Sequence, residues 1–251
     1  MAGPGQHRVV VDLEQLEVRI EAHLHLVLFG DPTLRNLCLT EDFHGKIALQ
    51  VFSQLWPDAV NWASIKPGEV KEHPNAFVRW CRDQVKAVFY GLAYGKSAKT
   101  FGATLWTVEG NPIGVEAATK IVGGIFEEIP GLQQRAEWVA EVVANKGGMW
   151  SLLGRWRPLE RSNRGKRQGK NHANQAGGSE IAMLWMILAS MRGAMLDAQI
   201  HDELHAVEDI DRSPAMVSVL EETAQEVGEV LGLQCPLAAK GGHGLSWEEA
   251  K

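Results

Sequence analysis

The fold is decided by the stretch Val9-Val10-Val11-Asp12-Leu13-Glu14-Gln15-Leu16-Glu17-Val18-Arg19-Ile20, where a β-branched run gives way to helical spacing. The segment from His7 to Asp12 favours a strand, because β-branched side chains fit a pleated, half-buried surface. After it, Leu16, Ile20 and Leu24 recur every four residues and predict a helix. The pattern therefore predicts a strand that delivers Asp12 to the start of a helix.

Outward from this stretch, helical segments alternate with short strand-like runs. Asp42 is a candidate N-cap for a helix through Ile47 to Phe52, and the proline-containing segment from Trp56 to His73 predicts a loop. Further helices are predicted at about Ala76 to Tyr90, Val115 to Glu128, Leu132 to Ala144, Lys166 to Arg192 and Met216 to Leu231. Hairpins are predicted at Met149 to Leu159, with a turn at Gly154, and at Ala194 to Val207; a last strand is predicted at Pro236 to Ala239. The outline is α+β, with a helical block inserted between β elements.

Composition excludes several classes of protein. The chain has 251 residues, a net charge of −6 and 45% hydrophobic residues, which indicates one or two globular domains rather than a disordered chain. The longest apolar run, Ile181 to Ala189, is far shorter than the ~20 residues of a membrane span, so no membrane partner is expected. The amino-terminal residues lack the apolar core of a signal peptide, and three dispersed cysteines predict no disulfide framework. We therefore expect an intracellular protein that is not secreted.

Two aspartates stand at the ends of strand-like runs. Asp12 ends the run that begins at His7, and Asp202 follows the first run of the hairpin predicted at Ala194 to Val207. Magnesium is bound in many enzymes by one or two carboxylates, with substrate phosphates and water as the other ligands. The pair is thus a candidate for two-metal phosphoryl transfer. The alternative is that each aspartate only caps a turn.

A second group recurs every four residues on one predicted helix: Arg82, Lys86, Tyr90 and Tyr94. Arg82 can fork onto phosphate oxygens, Lys86 can act as a point charge, and Tyr90 offers a ring for stacking on a base or sugar. Tyr90 and Tyr94 are the only tyrosines, and both are followed by glycine. The alternative is a solvated helix face.

A third feature is a basic segment in an acidic chain. Between Lys146 and Lys170 lie eight lysines and arginines and a single acidic residue, Glu160, which is the pattern of a polyanion site. The residues Arg167, Asn171 and Gln175 continue it along one helix face. The alternative is a solvated loop.

The histidines raise a competing hypothesis, a metal-dependent phosphohydrolase of the HD type. Such an enzyme would use the His201-Asp202 pair with His23, His25 or His44 as metal ligands. His201-Asp202 lies between strand-like runs rather than on a helix, and His23 and His25 are two positions apart, so they point to different faces of a helix.

Taken together, the motifs resemble those of family A DNA polymerases, the DNA polymerase I type. Val11 to Arg19 resembles the family's motif A, Arg82-x3-Lys86-x3-Tyr90-Gly91-x2-Tyr94-Gly95 its motif B, and Gln199 to Leu204 its motif C. Asp42-Phe43-His44, Leu153-Gly154-Arg155, Arg167-x3-Asn171-x3-Gln175 and Trp247 resemble further segments of the family. The resemblance covers nearly the whole chain.

The resemblance implies an antiparallel palm sheet with an inserted, mostly helical fingers subdomain. The palm would comprise residues 1–28, with motif A, and 175–251, with motif C. The fingers would comprise residues 29–174, including the motif B helix and a template-primer hairpin.

The resemblance also implies roles for individual residues. The catalytic residues would be Asp12, Asp202 and Glu203, and two Mg²⁺ ions would be held by Asp12, Asp202 and Leu13. The nucleotide would be bound by Gln15, Glu17, His44, Arg82, Lys86 and Tyr90, with Glu17 excluding a ribose 2′-hydroxyl. Primer-template DNA would be contacted by Tyr94, Gly95, Arg155, Arg167, Asn171, Gln175, Gln199 and His201.

The implied function is template-dependent addition of deoxynucleoside triphosphates to a primer 3′-hydroxyl. The stretch before Asp12 is too short for a thumb, an exonuclease or a first palm strand, so we expect a carboxyl-terminal part of a split or truncated enzyme. A separate thumb-bearing polypeptide would then be a partner. The chain also differs from the family pattern at Leu13 and Glu14, and Glu14 adds a carboxylate near the predicted metals. The alternative function is an inactive, polymerase-like fragment that binds DNA or nucleotide.

Overall fold

A computed structural model describes residues 3–40 and 42–251; Met1 and Ala2, with which the predicted segment 1–28 begins, and Glu41 lie outside these residues. The chain divides into two compact units. The sheet unit comprises the described residues up to His23, with Trp150–Arg155 and Ala173–Lys251. The helical unit comprises Leu24–Met149 and Trp156–His172. The predicted boundaries at residues 28 and 174 stay a prediction.

The regular elements follow the order expected for an α+β chain. The strands are β1 (Gln6–Leu13), β2 (Gly148–Trp150), β3 (Trp156–Pro158), β4 (Leu196–Ile200), β5 (Glu203–Asp209) and β6 (Ala239–Gly244). The helices are α1 (Leu16–Phe29), α2 (Thr33–Cys38), α3 (Phe43–Leu55), α4 (Ala76–Ala93), α5 (Ala98–Thr104), α6 (Gly114–Glu128), α7 (Pro130–Lys146), α8 (Asn163–Met191), α9 (Ser213–Val230) and α10 (Trp247–Ala250). Short 3₁₀ turns lie at Trp62–Ser64, Pro67–Glu69 and Ile210–Arg212.

The main sheet has four antiparallel strands in the order β4-β5-β1-β6. Its inner strand β1 pairs on both sides, and Val9, Val10 and Val11 are all buried. A continuous apolar run is expected where both faces of a strand are covered. Helix α9 packs on β1 and β6, and Trp185 of α8 donates its indole N–H to the Leu220 carbonyl of α9 at 2.9 Å.

Most predicted elements are confirmed. The strand at His7 to Asp12, the helices and both hairpins are present, and Gly154 adopts a positive φ of 80° at its predicted turn. Asp42 caps α3 as predicted, with its carboxylate accepting a hydrogen bond from the Gly45 amide at 3.0 Å. The α+β fold class is therefore confirmed.

The predicted last strand at Pro236 to Ala239 is wrong, because the strand is β6, Ala239–Gly244. The sequence Lys240-Gly241-Gly242-His243-Gly244 has no β-branched residue and gives no strand signal. It pairs with β1 because glycine permits a very close approach: a Cβ on Gly241 would lie 2.1 Å from the Val10 carbonyl oxygen.

The helical unit has an aromatic core. Phe43, Phe52, Phe89 and Phe101 are fully buried, and the rings of Phe43 and Phe89 meet edge to face at 5.4 Å. All three cysteines of the chain are buried, and no disulfide joins them. Among the helices of residues 3–40 and 42–251, none combines the length and apolar character that crossing a membrane requires.

Candidate active site

The sheet unit brings the predicted catalytic carboxylates together at one end of β1 and β5. Asp12 lies opposite Glu203 in the antiparallel register, so their side chains lie on the same face of the sheet. The Leu13 amide donates to the Asp202 carbonyl at 3.0 Å, which ties the end of β1 to the turn between β4 and β5. Two segments far apart in sequence thus form one carboxylate cluster: Asp12, Asp202 and Glu203.

Two residues close in sequence to the aspartates have a strained backbone conformation. Among the described residues, only Gln15 (φ 55°) and His201 (φ 57°) adopt a positive φ without being glycine. The left-handed conformation costs roughly 1 kcal/mol or more for such residues and clusters at functional sites. Gln15 follows Asp12 at the start of α1, and His201 precedes Asp202 in the hairpin turn.

Three donors surround the Glu203 carboxylate, whose side chain is 4% exposed. His205 Nε2 and Trp247 Nε1 donate to Oε1 at 2.6 and 2.9 Å, and Lys251 Nζ lies 2.7 Å from Oε2. Burial alone would raise the pKa of Glu203, but the hydrogen bonds from Lys251, His205 and Trp247 lower it overall. Glu203 is therefore held as an ordered anion. Sequence reasoning assigned no role to His205 or Lys251.

The pKa of Asp12 moves in the opposite direction. Burial, and then the negative charges of Asp202 and Glu203, raise it from an ordinary 3.8 to about 6. Glu14 adds to this effect, and the positive charge of Lys251 opposes it. The cluster thus carries a surplus of negative charge that a bound cation would neutralise.

The raised pKa of Asp12 predicts a pH-dependent stability of the metal-free protein. The folded chain binds the Asp12 proton more tightly than the unfolded chain, so this group stabilises the fold below about pH 4 and loses that contribution as the pH rises through about 6. In EDTA at pH 8, we expect Asp12→Asn to melt at a higher temperature than wild type. The difference in melting temperature between Asp12→Asn and wild type should shrink as the pH falls below about 6. A difference that stays constant from pH 8 to pH 4 would contradict the raised pKa of Asp12.

A cleft of about 370 Å³ lies beside Asp202 within the sheet unit. Its lining comes from α1, α8 and the β4–β5 hairpin: Leu16, Glu17, Asn174, Gln175, Gly178, Ser179, Gln199, His201 and Asp202. Glu17 was predicted to bind nucleotide, and Gln175, Gln199 and His201 were predicted to contact DNA. Gln175 Nε2 donates to Glu17 Oε1 at 2.7 Å, and Gln199 Nε2 donates to the His201 carbonyl at 2.7 Å. The structure therefore brings Glu17, Gln175, Gln199 and His201 to one cleft.

At Asn174, which also lines this cleft, α1 and α8 share a buried polar contact that sequence reasoning missed. Asn174 and Glu21 are 0% and 1% exposed, and Asn174 Nδ2 donates to Glu21 Oε1 at 2.7 Å. Buried polar groups are normally paired in this way. The signal that could have marked this contact is Glu21 itself, a carboxylate that stands between Ile20 and Ala22 in the sequence.

In the helical unit, α4 presents the predicted cationic face. Arg82, Lys86 and Tyr90 follow one another at four-residue spacing, and Lys86 is exposed. Arg82 Nε donates to Asp42 Oδ2 at 2.7 Å. Asp42 thereby caps α3 and also holds the Arg82 guanidinium.

His44 is the buried member of this group, at 4% exposure. Its ring lies 5.9 Å from the Tyr90 ring, centroid to centroid. Burial, followed by the positive charge of Arg82, lowers the pKa of His44 to about 3, so the imidazole is neutral at pH 7. Its Nε2 has no hydrogen-bond partner within the described part of the chain, which leaves a donor or acceptor for a ligand.

The end of α4 meets the start of α8 inside the helical unit. Tyr94 is the C-cap of α4, and Gly95 follows with a φ of 79°. A Cβ on Gly95 would lie 3.1 Å from Arg167 Cγ, so the absence of a side chain lets the Arg167 stem pack there. Asn171 lies one turn further along α8.

Arg155 lies in the sheet unit and is anchored. Its Nε donates at 2.6 Å to Glu180, which also accepts from the Ser151 hydroxyl at 2.6 Å and the Leu153 amide at 2.8 Å. Glu180 therefore fixes the turn between β2 and β3. The Arg155 side chain stays 60% exposed.

The basic segment is largely at the surface. Its exposed members are Lys146, Arg155, Arg157, Arg161, Arg164 and Arg167. Exposed cations in this number suit the binding of a polyanion such as DNA. The affinity of the chain for DNA would then fall as the salt concentration rises.

The carboxylate oxygens of the cluster are suitable ligands for a magnesium ion whose other ligands come from the substrate and from water. Across residues 3–40 and 42–251, no three or more histidine, cysteine, aspartate and glutamate side chains are placed to enclose a metal ion. Two aspartates at a partly open strand end instead leave coordination positions for phosphate oxygens and water, which is how magnesium is usually bound.

The chain matches a family model and several known proteins over nearly its whole length. The model of DNA polymerase family A matches residues 1–249. The chain is 27% identical to DNA polymerase I of Mycobacterium tuberculosis (strain ATCC 25618 / H37Rv) over 260 residues, covering 96% of this chain and 25% of the relative. It is 26% identical to thermostable DNA polymerase I of Thermus thermophilus over 264 residues, covering 100% of this chain and 28% of the relative.

Among solved structures, the chain is similar to the POL domain of Pol1 from M. smegmatis in complex with DNA primer-template and dNTP. The TM-score is 0.79 at 25% identity, and the alignment covers 99% of this chain and 41% of the other. The chain thus spans about a quarter of the length of the curated relatives that it matches.

Proposed function

We propose that this chain, which belongs to DNA polymerase family A, adds deoxynucleotides to a primer 3′-hydroxyl under the direction of a template. The observation that carries the proposal is the strand pairing that sets Asp12 opposite Glu203, with Asp202 in the adjoining turn. The related polymerase of M. smegmatis was solved with primer-template and dNTP. In this proposal the sheet unit is the palm and the helical unit is the fingers.

Asp12 and Asp202 would hold two Mg²⁺ ions, with the Leu13 backbone as a further ligand. When bound, such ions lower the pKa of the primer hydroxyl and stabilise the leaving pyrophosphate. Glu203 supports the cluster as an ordered carboxylate beside Asp12. The raised pKa of Asp12 supports a metal site at this cluster, because a bound cation would compensate the surplus negative charge of the carboxylates.

The fingers residues supply the charge that receives a triphosphate. Arg82 and Lys86 lie on one face of α4, and Asp42 orients the Arg82 guanidinium. His44, neutral and buried beside Tyr90, keeps a ring nitrogen for a phosphate oxygen. Gln15 completes the proposed nucleotide-binding set.

The primer-template would be contacted from both units. The cleft residues Gln175, Gln199 and His201 would meet the primer terminus, and Arg155 the duplex nearby. On the fingers, the template would contact Tyr94, Gly95, Arg167 and Asn171. The chain would act where the host's DNA is replicated.

Glu17 gives the proposal a specific test of sugar selection. Gln175 holds the Glu17 carboxylate in the cleft, so a ribose 2′-hydroxyl would meet a fixed side chain. We expect Glu17→Ala to raise ribonucleotide incorporation relative to deoxynucleotide incorporation by about 100-fold, measured as a ratio of kcat/KM values. Glu229→Ala, an exposed glutamate on α9, is the matched control, and an unchanged ratio in Glu17→Ala would count against the assignment.

The function itself is tested by primer extension. Purified chain, Mg²⁺, all four dNTPs and a primer annealed to a longer template should give products that reach the template end, and EDTA should stop the reaction. A primer that stays unextended in Mg²⁺ would contradict the proposal for the chain alone. The separate thumb-bearing polypeptide stays a prediction, supported if its addition restores or increases extension.

The HD-type phosphohydrolase gains no support. His201 and Asp202 lie in the turn between β4 and β5, not on a helix. His23 Nδ1 accepts a hydrogen bond from the Gln234 amide at 3.1 Å, which occupies that nitrogen within the palm.

A further inference from the structure

Lys251 is the cation that the proposed catalytic site already contains. Its Nζ lies 2.7 Å from Glu203 Oε2 and 5.1 Å from the centre of the Trp247 ring. An ammonium over an indole face gains a cation–π attraction, which favours an ordered position. Trp247 also donates to Glu203, so α10 and the residue that follows it clamp this carboxylate at both oxygens.

The ammonium acts on the whole carboxylate cluster. Its charge lowers the pKa of Asp12, and the charges of Glu203, Asp12 and Asp202 in turn raise the pKa of Lys251. Lys240 is the cross-strand partner of Asp12 on β6 and is exposed, so it is a second lysine of the sheet unit with which Lys251 can be compared. The 2.7 Å contact with Glu203, which lies opposite Asp12 in the strand register, places the Lys251 ammonium at this cluster.

We propose that Lys251 is a positioning residue that serves as the resident counter-ion of the Asp12, Asp202 and Glu203 cluster and thereby sets its affinity for divalent cations. The proposal rests on the proposed function, because it takes the cluster to be the metal site. Without a metal, Lys251 reduces the repulsion among the carboxylates and fixes Glu203. When a divalent cation arrives, the ammonium repels it and weakens binding.

Cation binding to the full chain tests this directly. Titration with Mn²⁺, followed by the electron paramagnetic resonance signal of the free ion, measures affinity without requiring activity. We expect Lys251→Met to bind Mn²⁺ about three- to tenfold more tightly, since removing one nearby charge changes the binding free energy modestly. Lys251→Arg should stay within about twofold of wild type, and so should the matched control Lys240→Met.

Thermal unfolding supplies a second readout. In EDTA, we expect Lys251→Met to melt at a lower temperature than wild type because the carboxylates lose their counter-ion. Saturating Mn²⁺ should close this gap in melting temperature. A merely structural role for Lys251 would leave the gap unchanged by Mn²⁺. An equal or weaker Mn²⁺ affinity in Lys251→Met, or a gap that persists in Mn²⁺, overturns the inference.

Asp202→Asn separates this inference from the proposed function. If wild type binds Mn²⁺, Asp202→Asn abolishes binding and Lys251→Met changes nothing, then only the role of Lys251 fails. If wild type shows no Mn²⁺ binding that depends on Asp202, the proposed metal site and the role of Lys251 fail together.

Discussion

Asp202→Asn is expected to slow primer extension by about 1,000-fold, which corresponds to ~4 kcal/mol of transition-state stabilisation. The amide has nearly the shape of the carboxylate but lacks its charge, so the hairpin turn should keep its structure. What is lost is one of the two aspartates that would hold the metal ions. Single-turnover extension with saturating dNTP measures the effect on the chemical step.

The control for this variant is Asp211→Asn. Asp211 is an exposed aspartate of the same unit, in the 3₁₀ turn before α9, and belongs to no part of the proposed site. Its extension rate should stay within about twofold of wild type. An Asp202→Asn enzyme that extends primers as fast as Asp211→Asn would show that the Asp202 carboxylate is not needed.

Gly241→Ala is expected to destabilise the sheet unit by about 3 kcal/mol. The added Cβ would lie 2.1 Å from the Val10 carbonyl oxygen and 2.7 Å from Val11 Cα, so the clash is with backbone and no side chain can rotate away. Strand β6 would have to separate from β1, the strand that carries Asp12. Urea unfolding of the full chain measures the loss.

Gly123→Ala is the matched control for this change. Gly123 lies within α6, where an added Cβ meets nothing within 4 Å. Alanine should therefore stabilise the helix by about 0.5–1 kcal/mol, because it favours helix more than glycine does. Equal urea midpoints for Gly241→Ala and wild type would mean that β6 does not pack on β1 as described.

The fold could be predicted wherever side chains carried a periodic signal. The run Val9-Val10-Val11 indicated a strand, and the four-residue spacing of Arg82, Lys86 and Tyr90 placed them on one helix face. Strand β6 escaped prediction for a physical reason. Gly241 is required because the backbone of β1 approaches it so closely, and that distance exists only in the folded sheet.

In the candidate site, too, only the residues that a sequence pattern marks could be predicted. Asp12 and Asp202 could be identified because each follows a strand-like run, and the structure places them at joined strand ends. Lys251 and His205 could not, because their importance comes from their distances to Glu203. The Asn174–Glu21 contact escaped for a similar reason, since it links two helices that are far apart in sequence.

The central claim is that a template directs which nucleotide the chain adds. The most direct measurement is single-nucleotide incorporation on four primer-templates that differ only in the base opposite the insertion site, with Mg²⁺ and each dNTP supplied separately. We predict that the complementary dNTP is added on every template at least about 100-fold faster than the other three. Addition of the same nucleotide on all four templates, or of none on any, would contradict the account.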